Sequence, residues 1–347
     1  MRISYLMYGL DRTGGTQTFI ELGKRFTERG HSVCITALDD GHTINGKPEW
    51  ALDSPIEYRL VRIGGNPMKD LFDAAPDADI ACASYFPTSF PVARMLGRKA
   101  RSVWYHMQHY EPWFFPMSNP YSDLARASYH LPLNRIANCS WLKKEVWDRH
   151  FVDSVVCCHA IKSEAFPFRP HAQRGGPKTV LALGKTHVAW KGLKTLSDAM
   201  KLVRKVLPDT ALILYGSETS PSFDGKFDYF LKPGDLALAA LYQESDIVVC
   251  PSWYESFPAP PLEAMSSGTP CVTTRYGTED YCVDGVNCSV VPPRDPEAMA
   301  RKILLVLTDD AIREAYIMNG LSTSEKFSWD KTAGAVESIW REALNVV

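Results

Sequence analysis

A chain of 347 residues is more than twice as long as a typical domain, so two domains of ordinary size are expected. Hydrophobic residues make up 45% and charged residues 22%, which is typical of a globular protein and excludes extensive disorder. The formal net charge of -2 lacks the basic excess of a broad nucleic-acid-binding surface. We therefore do not expect nucleic acid as a partner.

Nine cysteines are scattered along the chain without a C-x-x-C pair, so neither a zinc ribbon nor a dithiol redox motif is indicated. The apolar start, ISYLMYGL, is too short for a secretory signal peptide. No run approaches the ~18 apolar residues that a membrane-spanning helix needs. We expect a cytoplasmic protein, with peripheral contact to a membrane left open.

The first half alternates short apolar runs with helical segments. The run ISYLMYG, a Gly-rich turn, a helix from about Thr16 and the run HSVCITAL predict a β-α-β unit. Further apolar runs follow at 57–63, 79–83 and 102–106. Alternation of this kind predicts a parallel sheet with helices on both faces.

The second half repeats this pattern after a break. Residues 165–178 contain three prolines and two glycines, which indicates an exposed connection between domains. The sequence thus predicts an α/β fold of two Rossmann-like halves, with ligands in the cleft outside the carboxyl ends of the strands. The predicted elements are strands at 179–183, 210–215, 246–250 and 271–274, and helices at 191–206, 234–244, 257–268, 296–308, 310–326 and 329–345.

The densest motif is PSWYESFPAPPLEAMSSGTPC, in which seven residues separate Glu255 from Glu263 across a junction between a loop and a helix. The prolines suit a first helical turn, and Glu263 is expected in that turn. Carboxylates accept hydrogen bonds from sugar hydroxyls, and free N–H groups at a helix start bind phosphate. The alternative to a ligand site is a purely structural role. A glutamate at a helix start is stabilised by the helix dipole, by about 0.3–1 kcal/mol.

Three further stretches join this motif in a family resemblance. The motif resembles the Glu-x7-Glu signature of glycosyltransferase family 4, P-S-x-x-E-G-F-G-x-x-x-x-E-A-M-A-x-G-x-P-V. GKTHVAWKG resembles the family's G-R-x-x-x-x-x-K-G, and Gly14 and Gly15 match its glycine pair at the first β-α turn. KFSWDKTA resembles the segment where the family's last helix crosses back to the first domain.

The resemblance implies a GT-B fold of two Rossmann-like domains facing each other across a cleft. Residues 1–165 would form the acceptor domain, 166–326 the nucleotide-sugar donor domain, and 327–347 a helix returning to the first domain. The implied activity is retaining transfer of a hexosyl or deoxyhexosyl group from a nucleotide-diphosphate sugar to an acceptor hydroxyl. The acceptor would be a carbohydrate, a lipid-linked molecule or a small molecule, in glycan, polysaccharide or glycosylated natural-product synthesis.

The resemblance also assigns roles to residues. Glu263 would bind the ribose hydroxyls, and Glu255 would contact the transferred sugar near the reacting carbon. Lys185 and Lys191 would offset the charge that grows on the diphosphate, so that no metal and no other cofactor is required. The implied donor-binding set is Gly14, Gly15, Gly184, Ser256, Phe257, Pro258, Ala259 and Glu263.

Two positions depart from the family pattern. Lys185 stands where the family has arginine, which keeps the charge and loses bidentate geometry. Pro258 stands where glycine is common and removes one N–H. The amides of Phe257 or Ala259 would then have to meet the phosphate. The Gly14-Gly15 turn allows a diphosphate or a sugar to come close to the backbone. It lacks the G-x-G-x-x-G spacing of a dinucleotide-binding site.

In the first half, HMQHYEPWFF follows a predicted strand and resembles a Q-D-x-E-P stretch of some family members. We assign His106, Gln108 and Glu111 to acceptor contact. His109 stands at the aspartate position and would accept the acceptor's proton or only hydrogen-bond to it. Both histidines have a purely structural alternative, and H-x-x-H with a nearby glutamate is a weak zinc pattern. The aromatic residues there suit either stacking on a sugar or lipid, or core packing; they are Trp104, Trp113, Phe114 and Phe115.

Other functions remain open. The same architecture serves epimerases and phosphorylases, because a fold does not settle chemistry. A non-catalytic protein that binds sugar nucleotides is a further alternative. The Glu-x7-Glu motif beside G-K-x5-K-G favours transfer from a nucleotide sugar.

Overall fold

The computed structural model describes residues 1–41, 43–170, 176–219 and 221–345. The chain divides into two compact units: residues 1–159 together with the C-terminal segment from Trp329, and Ala160–Ser328. Of the predicted connection over 165–178, residues 171–175 lie outside the described residues. Each unit is an α/β body built around its own parallel sheet.

The first unit contains a seven-stranded parallel sheet in the order β5-β2-β1-β6-β7-β8-β9. Five of the six residues of β1 are buried, because helices cover both faces of a parallel sheet. A short antiparallel pair, β3-β4, lies outside it. The strands are β1 (Arg2–Met7), β2 (Ser32–Leu38), β3 (Thr43–Ile44), β4 (Lys47–Pro48), β5 (Glu57–Val61), β6 (Ala78–Ala83), β7 (Ala100–Met107), β8 (Asn134–Ala137) and β9 (Val155–Val156).

Helices connect these strands and begin at residues that suit helix starts. Thr13 caps the first helix by accepting a hydrogen bond from the amide of Thr16, and prolines occupy the first turns of three others. The helices of this part are α1 (Gly14–Glu28), α2 (Pro67–Ala74), α3 (Phe86–Met95), α4 (Pro120–Ser128) and α5 (Ser140–His150).

The second unit contains a six-stranded parallel sheet in the order β12-β11-β10-β13-β14-β15. Counted along the unit, this order is 3-2-1-4-5-6, that of a dinucleotide-binding Rossmann sheet. The parallel sheet of the first unit has the same order with one strand added. The strands are β10 (Thr179–Leu183), β11 (Ala211–Gly216), β12 (Asp228–Leu231), β13 (Ile247–Cys250), β14 (Cys271–Thr274) and β15 (Ser289–Val291).

The helices of the second unit pack their apolar faces on this sheet. Leu196, Met200 and Val203 of the first helix and Met299 and Ile303 of a later one belong to one buried core with the strands. Gly268 ends the helix before β14 in the left-handed region, with φ of 77°, as its sequence predicts. The helices are α6 (Leu193–Val206), α7 (Asp235–Glu244), α8 (Ala259–Ser267), α9 (Pro296–Thr308) and α10 (Asp310–Ser324).

The C-terminal helix α11 (Trp329–Asn345) belongs to the first unit. Its Trp340 is fully buried. The centroid of the Trp340 ring lies 6.1 Å from that of Tyr5 and 5.2 Å from that of Phe26. Arg29 donates to the Glu337 carboxylate at 3.2 Å, which fastens the helix beside α1. None of the helices in the described ranges combines the length and the hydrophobicity needed to cross a bilayer.

Some placements differ from the sequence predictions. Strands β8, β9, β12 and β15 were not predicted, because each is only two to four residues long. The residues of β12 are also mostly exposed at the sheet edge. Helix α8 begins at Ala259, so Glu263 is its fifth residue and lies just beyond the first turn where it was expected.

Candidate active site

The candidate site lies at the carboxyl ends of β10 and β13. The strand order of the second sheet reverses between these two strands, and such a switch point is where open α/β sheets bind ligands. The β10 loop (residues 184–192) carries Gly184, Lys185 and Lys191. The β13 loop (residues 251–258) carries Glu255 and Pro258. The two segments that the sequence singled out are therefore neighbours in space.

Direct contacts hold these two loops together. The amide of Trp253 donates to the carbonyl of Trp190 at 2.7 Å. The rings of Trp190 and Tyr254 stack at 6.2 Å with an interplanar angle of 12°. Gly192 has φ of 70°, and a Cβ there would lie 1.9 Å from the Pro251 carbonyl oxygen. Glycine is required at this position because no larger residue fits between the loops.

Lys191 and Glu255 form an ion pair across the loops. The Lys191 Nζ lies 2.5 Å from Glu255 Oε1, and the Ser252 hydroxyl donates to the same oxygen at 2.6 Å. Both charged side chains are largely buried, with 19% and 12% of their surfaces exposed. Burial by itself lowers the pKa of Lys191, but the Glu255 carboxylate outweighs it and raises that pKa. The lysine is therefore held charged beside the carboxylate.

The backbone of the β13 loop is fastened to the segment after β14. The amide of Glu255 donates to the Tyr276 carbonyl at 3.1 Å, and that of Phe257 donates to the Gly277 carbonyl at 3.2 Å. A Cβ on Gly277, whose φ is 86°, would lie 2.1 Å from the Glu255 carbonyl oxygen. Because the Phe257 amide is used in this bond, Ala259 is the remaining one of the two predicted phosphate donors.

The start of α8 offers fewer amides than an ordinary helix start. Pro258 is the N-cap residue, and its carbonyl accepts a hydrogen bond from the Tyr281 hydroxyl at 2.5 Å. Pro260 and Pro261, the second and third residues of the helix, have no N–H. Ser256 is 9% exposed at this junction. The helix start therefore has fewer free amides for a phosphate than the sequence predicted.

Glu263 lies half-buried on α8 and accepts a hydrogen bond from the Tyr242 hydroxyl to Oε2 at 2.7 Å. Burial raises the pKa of Glu263 to about 7; the hydrogen bond from Tyr242 opposes this shift, and the charge of Asp235 adds to it. The side chain predicted to bind ribose thus titrates close to neutral pH. The sequence did not indicate Tyr242.

Glu218 organises the part of the β10 loop that carries Lys185. Its carboxylate accepts a hydrogen bond from the Thr186 hydroxyl and lies 2.6 Å from His187 Nδ1. Burial would raise the pKa of Glu218, but the bonds from Thr186 and His187 outweigh it and lower that pKa. Glu218 was not predicted from the sequence, although its position two residues after β11, at the same end of the sheet, was a usable signal.

The first unit brings another predicted pair of segments together. Gly14 and Gly15 begin α1, and a Cβ on Gly15 would lie 3.9 Å from the Gln108 side chain, whereas one on Gly14 would meet nothing within 4 Å. Gln108 is half-buried, and its Nε2 donates to the His106 carbonyl at 3.4 Å. The segments after β1 and β7 therefore meet at the carboxyl end of the first sheet.

His106 is an interior residue. It has no exposed surface, and its ring lies 5.6 Å from Phe19 and 5.8 Å from His159. Neither of its ring nitrogens has a hydrogen-bond partner among the described residues. Burial lowers the pKa of His106 to about 3, so the ring is neutral. In this arrangement His106 offers no surface to an acceptor.

His109 and Glu111 are also buried, at 8% and 1% exposure. The His109 ring lies 4.9 Å from Phe114 and 6.2 Å from Trp141. Glu111 Oε2 accepts a hydrogen bond from the Phe86 amide at 2.7 Å. The acceptor roles assigned to these residues stay predictions. A ligand would reach His109 more readily than Glu111.

The predicted aromatic cluster divides into interior and surface members. Trp104 is 4% exposed and donates through Nε1 to the Ser102 hydroxyl, which is core packing. Trp113 lies 5.9 Å from Trp141, and Phe114 is 38% exposed. Stacking on a sugar or lipid therefore remains a prediction for Phe114 and not for Trp104.

Glu111 makes the stability of the first unit pH-dependent. Burial raises the pKa of Glu111 from the usual 4.5 to about 8, and the Phe86 amide offsets only part of this. The folded unit keeps a proton that the unfolded chain releases, so the contribution of Glu111 to the free energy of unfolding should fall by about 2 kcal/mol between pH 6 and pH 8. Because His106 and Glu263 also titrate differently in the folded and unfolded chain, this contribution is measured as the difference between wild type and Glu111→Gln in denaturant unfolding at both pH values. That difference should fall by about 2 kcal/mol from pH 6 to pH 8, whereas the difference between wild type and the exposed Glu28→Gln should stay constant; a constant difference for Glu111→Gln would contradict the assignment.

No group of three or more His, Cys, Asp or Glu side chains within residues 1–41, 43–170, 176–219 and 221–345 is placed to hold a metal ion. This includes the H-x-x-H pattern of the first unit. Metal independence stays a prediction.

The second half of the chain matches a known family. Residues 177–309 match the model described as Glycosyl transferases group 1. An uncharacterised glycosyltransferase of Methanocaldococcus jannaschii is 36% identical over 113 residues, which cover 32% of this chain and 29% of that protein. The glycogen synthase of Mycobacterium tuberculosis is 28% identical over 221 residues, covering 57% of this chain and 51% of the synthase. The chain thus spans about half or less of these curated relatives.

Solved structures match over the whole chain. Anabaena HepE in complex with UDP-glucose has a TM-score of 0.79 and 16% sequence identity, and the match covers 100% of both chains. At this identity the likeness is one of fold, and it confirms the expected pair of Rossmann-like domains of the GT-B type. The family match confirms the resemblance to glycosyltransferase family 4 over residues 177–309.

Proposed function

We propose, from the glycosyltransferase family 4 character of residues 177–309, that this protein is a retaining glycosyltransferase. It would transfer a hexosyl or deoxyhexosyl group from a nucleotide-diphosphate sugar to an acceptor hydroxyl, in glycan, polysaccharide or glycosylated natural-product synthesis. The observation that carries the proposal is the Lys191–Glu255 ion pair at the switch point of the second sheet. A buried, hydrogen-bonded charge pair at such an edge is a functional arrangement more than a stabilising one.

The residues of the second unit suit the donor. Glu263 would accept hydrogen bonds from the ribose hydroxyls, and the Lys185 and Lys191 ammonium groups would lie against the diphosphate. Glu255 would contact the transferred sugar near its anomeric carbon. In the first unit, a Cβ on Gly14 would meet nothing within 4 Å, and we propose that the donor approaches the backbone of Gly14 and Gly15 there. Gln108 and His109 are where we propose acceptor contact.

The chemistry is the exchange of one bond for another at the anomeric carbon. The bond from that carbon to the diphosphate oxygen breaks, and the acceptor oxygen forms the new bond. The acceptor hydroxyl passes its proton to His109 or to the departing diphosphate oxygen. Charge therefore grows on the diphosphate in the transition state. A unit charge ~4 Å away is worth about 4 kcal/mol at an effective dielectric of ~20, so the lysines would lower the barrier substantially.

Ligand-induced stabilisation tests the donor class. We expect one of UDP, GDP, dTDP and ADP to raise the melting temperature of the protein, because a ligand at a hundredfold excess over Kd adds about 2.7 kcal/mol to the free energy of unfolding. The matching nucleoside without phosphates is the control and should stabilise much less. If none of the four stabilises the protein and none of their sugars is transferred, the proposal fails.

The configuration of the product separates the remaining alternatives. NMR of the glycosidic bond should show the same anomeric configuration in donor and product, since the proposal is a retaining transfer. An inverted product would contradict retention. Release of a sugar epimer, or phosphorolysis without an acceptor product, would instead support the epimerase or phosphorylase alternative. Donor binding without any turnover would support the non-catalytic one.

A further inference from the structure

Two buried tyrosines connect Glu263 to the interior of the second unit. The Tyr242 hydroxyl lies 2.7 Å from Glu263 Oε2, and the Tyr215 hydroxyl lies 2.8 Å from that of Tyr242. Tyr215 is on β11 and Tyr242 on α7, and they are 6% and 0% exposed. The three side chains form one continuous hydrogen-bond chain from the sheet to α8.

The chain has a fixed direction when Glu263 is ionised. A carboxylate can only accept, so the Tyr242 hydroxyl donates its single proton to Glu263. The Tyr242 oxygen is then free to accept the proton of the Tyr215 hydroxyl. Packing holds Tyr242 in place, because its ring lies 5.3 Å from that of Phe166 and its carbonyl accepts a hydrogen bond from the Thr269 hydroxyl at 2.7 Å.

We propose that Tyr242, supported by Tyr215, is a positioning residue that orients Glu263 toward the ribose diol of a nucleoside diphosphate. This rests on the proposed function. Holding Oε2 leaves Oε1, for which no hydrogen bond is recorded among the described residues, to accept from the ligand. A carboxylate fixed in this way loses little freedom when the diol binds.

The hydroxyl of Tyr242 also influences whether Glu263 is ionised. The groups that face this chain are Asp235 and Tyr242 on α7, Tyr215 on β11, and Cys250, which acts on Tyr215 from β13. Burial and Asp235 favour the protonated carboxyl, whereas the Tyr242 hydroxyl favours the carboxylate. Without that hydroxyl, a smaller fraction of Glu263 is ionised at neutral pH, and a protonated carboxyl is the poorer acceptor.

Tyr242→Phe tests the proposal. The probe is whichever of UDP, GDP, dTDP and ADP stabilises the wild type most, and its Kd is measured by calorimetry from pH 5.5 to 8.5. We expect about tenfold weaker binding at pH 7. Affinity should fall as the pH is lowered and Glu263 takes up a proton, and the midpoint of this acid-side step should move up by about one pH unit in the variant. Tyr215→Phe should weaken binding about twofold to threefold, because the hydrogen bond to Glu263 remains. In turnover, KM for the donor should rise more than kcat falls.

Tyr316→Phe is the matched control. Tyr316 is 3% exposed in the same unit, and its hydroxyl lies 3.1 Å from that of Ser289, away from Glu263. Its Kd and pH profile should equal those of the wild type. The ionisation of the probe is common to all variants, so differences between them report on the protein. Glu263→Gln should lose the acid-side step, which keeps the test valid if Tyr242→Phe does not fold.

Three results would overturn the inference. Wild-type affinity with an unmoved pH profile in Tyr242→Phe would overturn it and leave the proposed function intact. Equal loss in Tyr316→Phe would attribute the effect to general loosening of the unit. Retention of the acid-side step in Glu263→Gln would show that another group titrates. If no nucleoside diphosphate binds the wild type, the proposed function itself fails, and that result is distinguishable from the other three.

Discussion

Replacing Glu255 by glutamine is expected to slow sugar transfer about a hundredfold to a thousandfold while the nucleoside diphosphate still binds. Glutamine keeps the shape and an acceptor oxygen for the Ser252 hydroxyl, which donates to Glu255 Oε1 at 2.6 Å. It removes the negative charge that faces Lys191 and, in the proposed function, the reacting carbon. The loss should therefore lie in kcat, measured with a saturating donor, with Kd for the nucleotide changed by less than about threefold.

Glu314→Gln is the control for this variant. Glu314 is an exposed carboxylate on α10 of the same unit, so the substitution makes the same change of charge without touching the site. It should transfer sugar at the wild-type rate. Circular dichroism and the melting temperature show whether Glu255→Gln keeps its fold. Wild-type transfer by a folded Glu255→Gln would refute the role given to this residue.

Replacing Lys191 by methionine should have an effect of similar size through a different step. Methionine is unbranched like lysine, one atom shorter and uncharged, so the growing charge on the diphosphate loses a partner worth about 2.7–4 kcal/mol in similar sites. The variant also leaves Glu255 buried without its ion-pair partner, and breaking such a pair typically costs about 3–5 kcal/mol. We expect transfer to fall at least a hundredfold, and the melting temperature to fall with it.

Two further variants separate catalysis from stability. Lys194→Met changes an exposed lysine three residues later, which pairs with Asp198, and should leave both activity and melting temperature near the wild type. The double variant Lys191→Met with Glu255→Gln should regain stability, because no unpaired charge remains, but not activity. Undiminished transfer by Lys191→Met would refute the role of this lysine, and a double variant as unstable as the single one would refute the energetic reasoning.

The elements that the sequence predicted best are the ones whose signals are local. Strand 271–274 and helix 296–308 were predicted with the bounds that the structure has. A proline precedes the first of these, and an aspartate cap with a proline in the first turn begins the second. The exposed edge strand β12 was missed, since its pairing with β11 supplies what its own sequence does not.

The site shows the same division. The sequence indicated Lys185, Lys191, Glu255 and Glu263 through its resemblance to the family's motifs, and the structure brings Lys191 against Glu255. It gave no role to Ser252, although this serine is part of the P-S-x-x-E signature. It did not indicate Glu218 or Tyr242, because neither has a special spacing from the residue that it contacts. It assigned His106 and Glu111 to a ligand surface, while the structure buries both.

By itself, then, the sequence determined the two alternating halves, the glycine turn at Gly14 and Gly15 and the motif residues of the second unit. These depend on hydrophobic periodicity and on short-range backbone requirements, both of which can be read from the amino-acid sequence. Only the tertiary structure decided which charges pair, since Lys191 and Glu255 are 64 positions apart and meet because β10 and β13 are neighbours in the sheet. It alone decided burial as well. Burial depends on every element packed around a side chain, and it is what raises the pKa of Glu111 and Glu263 above their usual range.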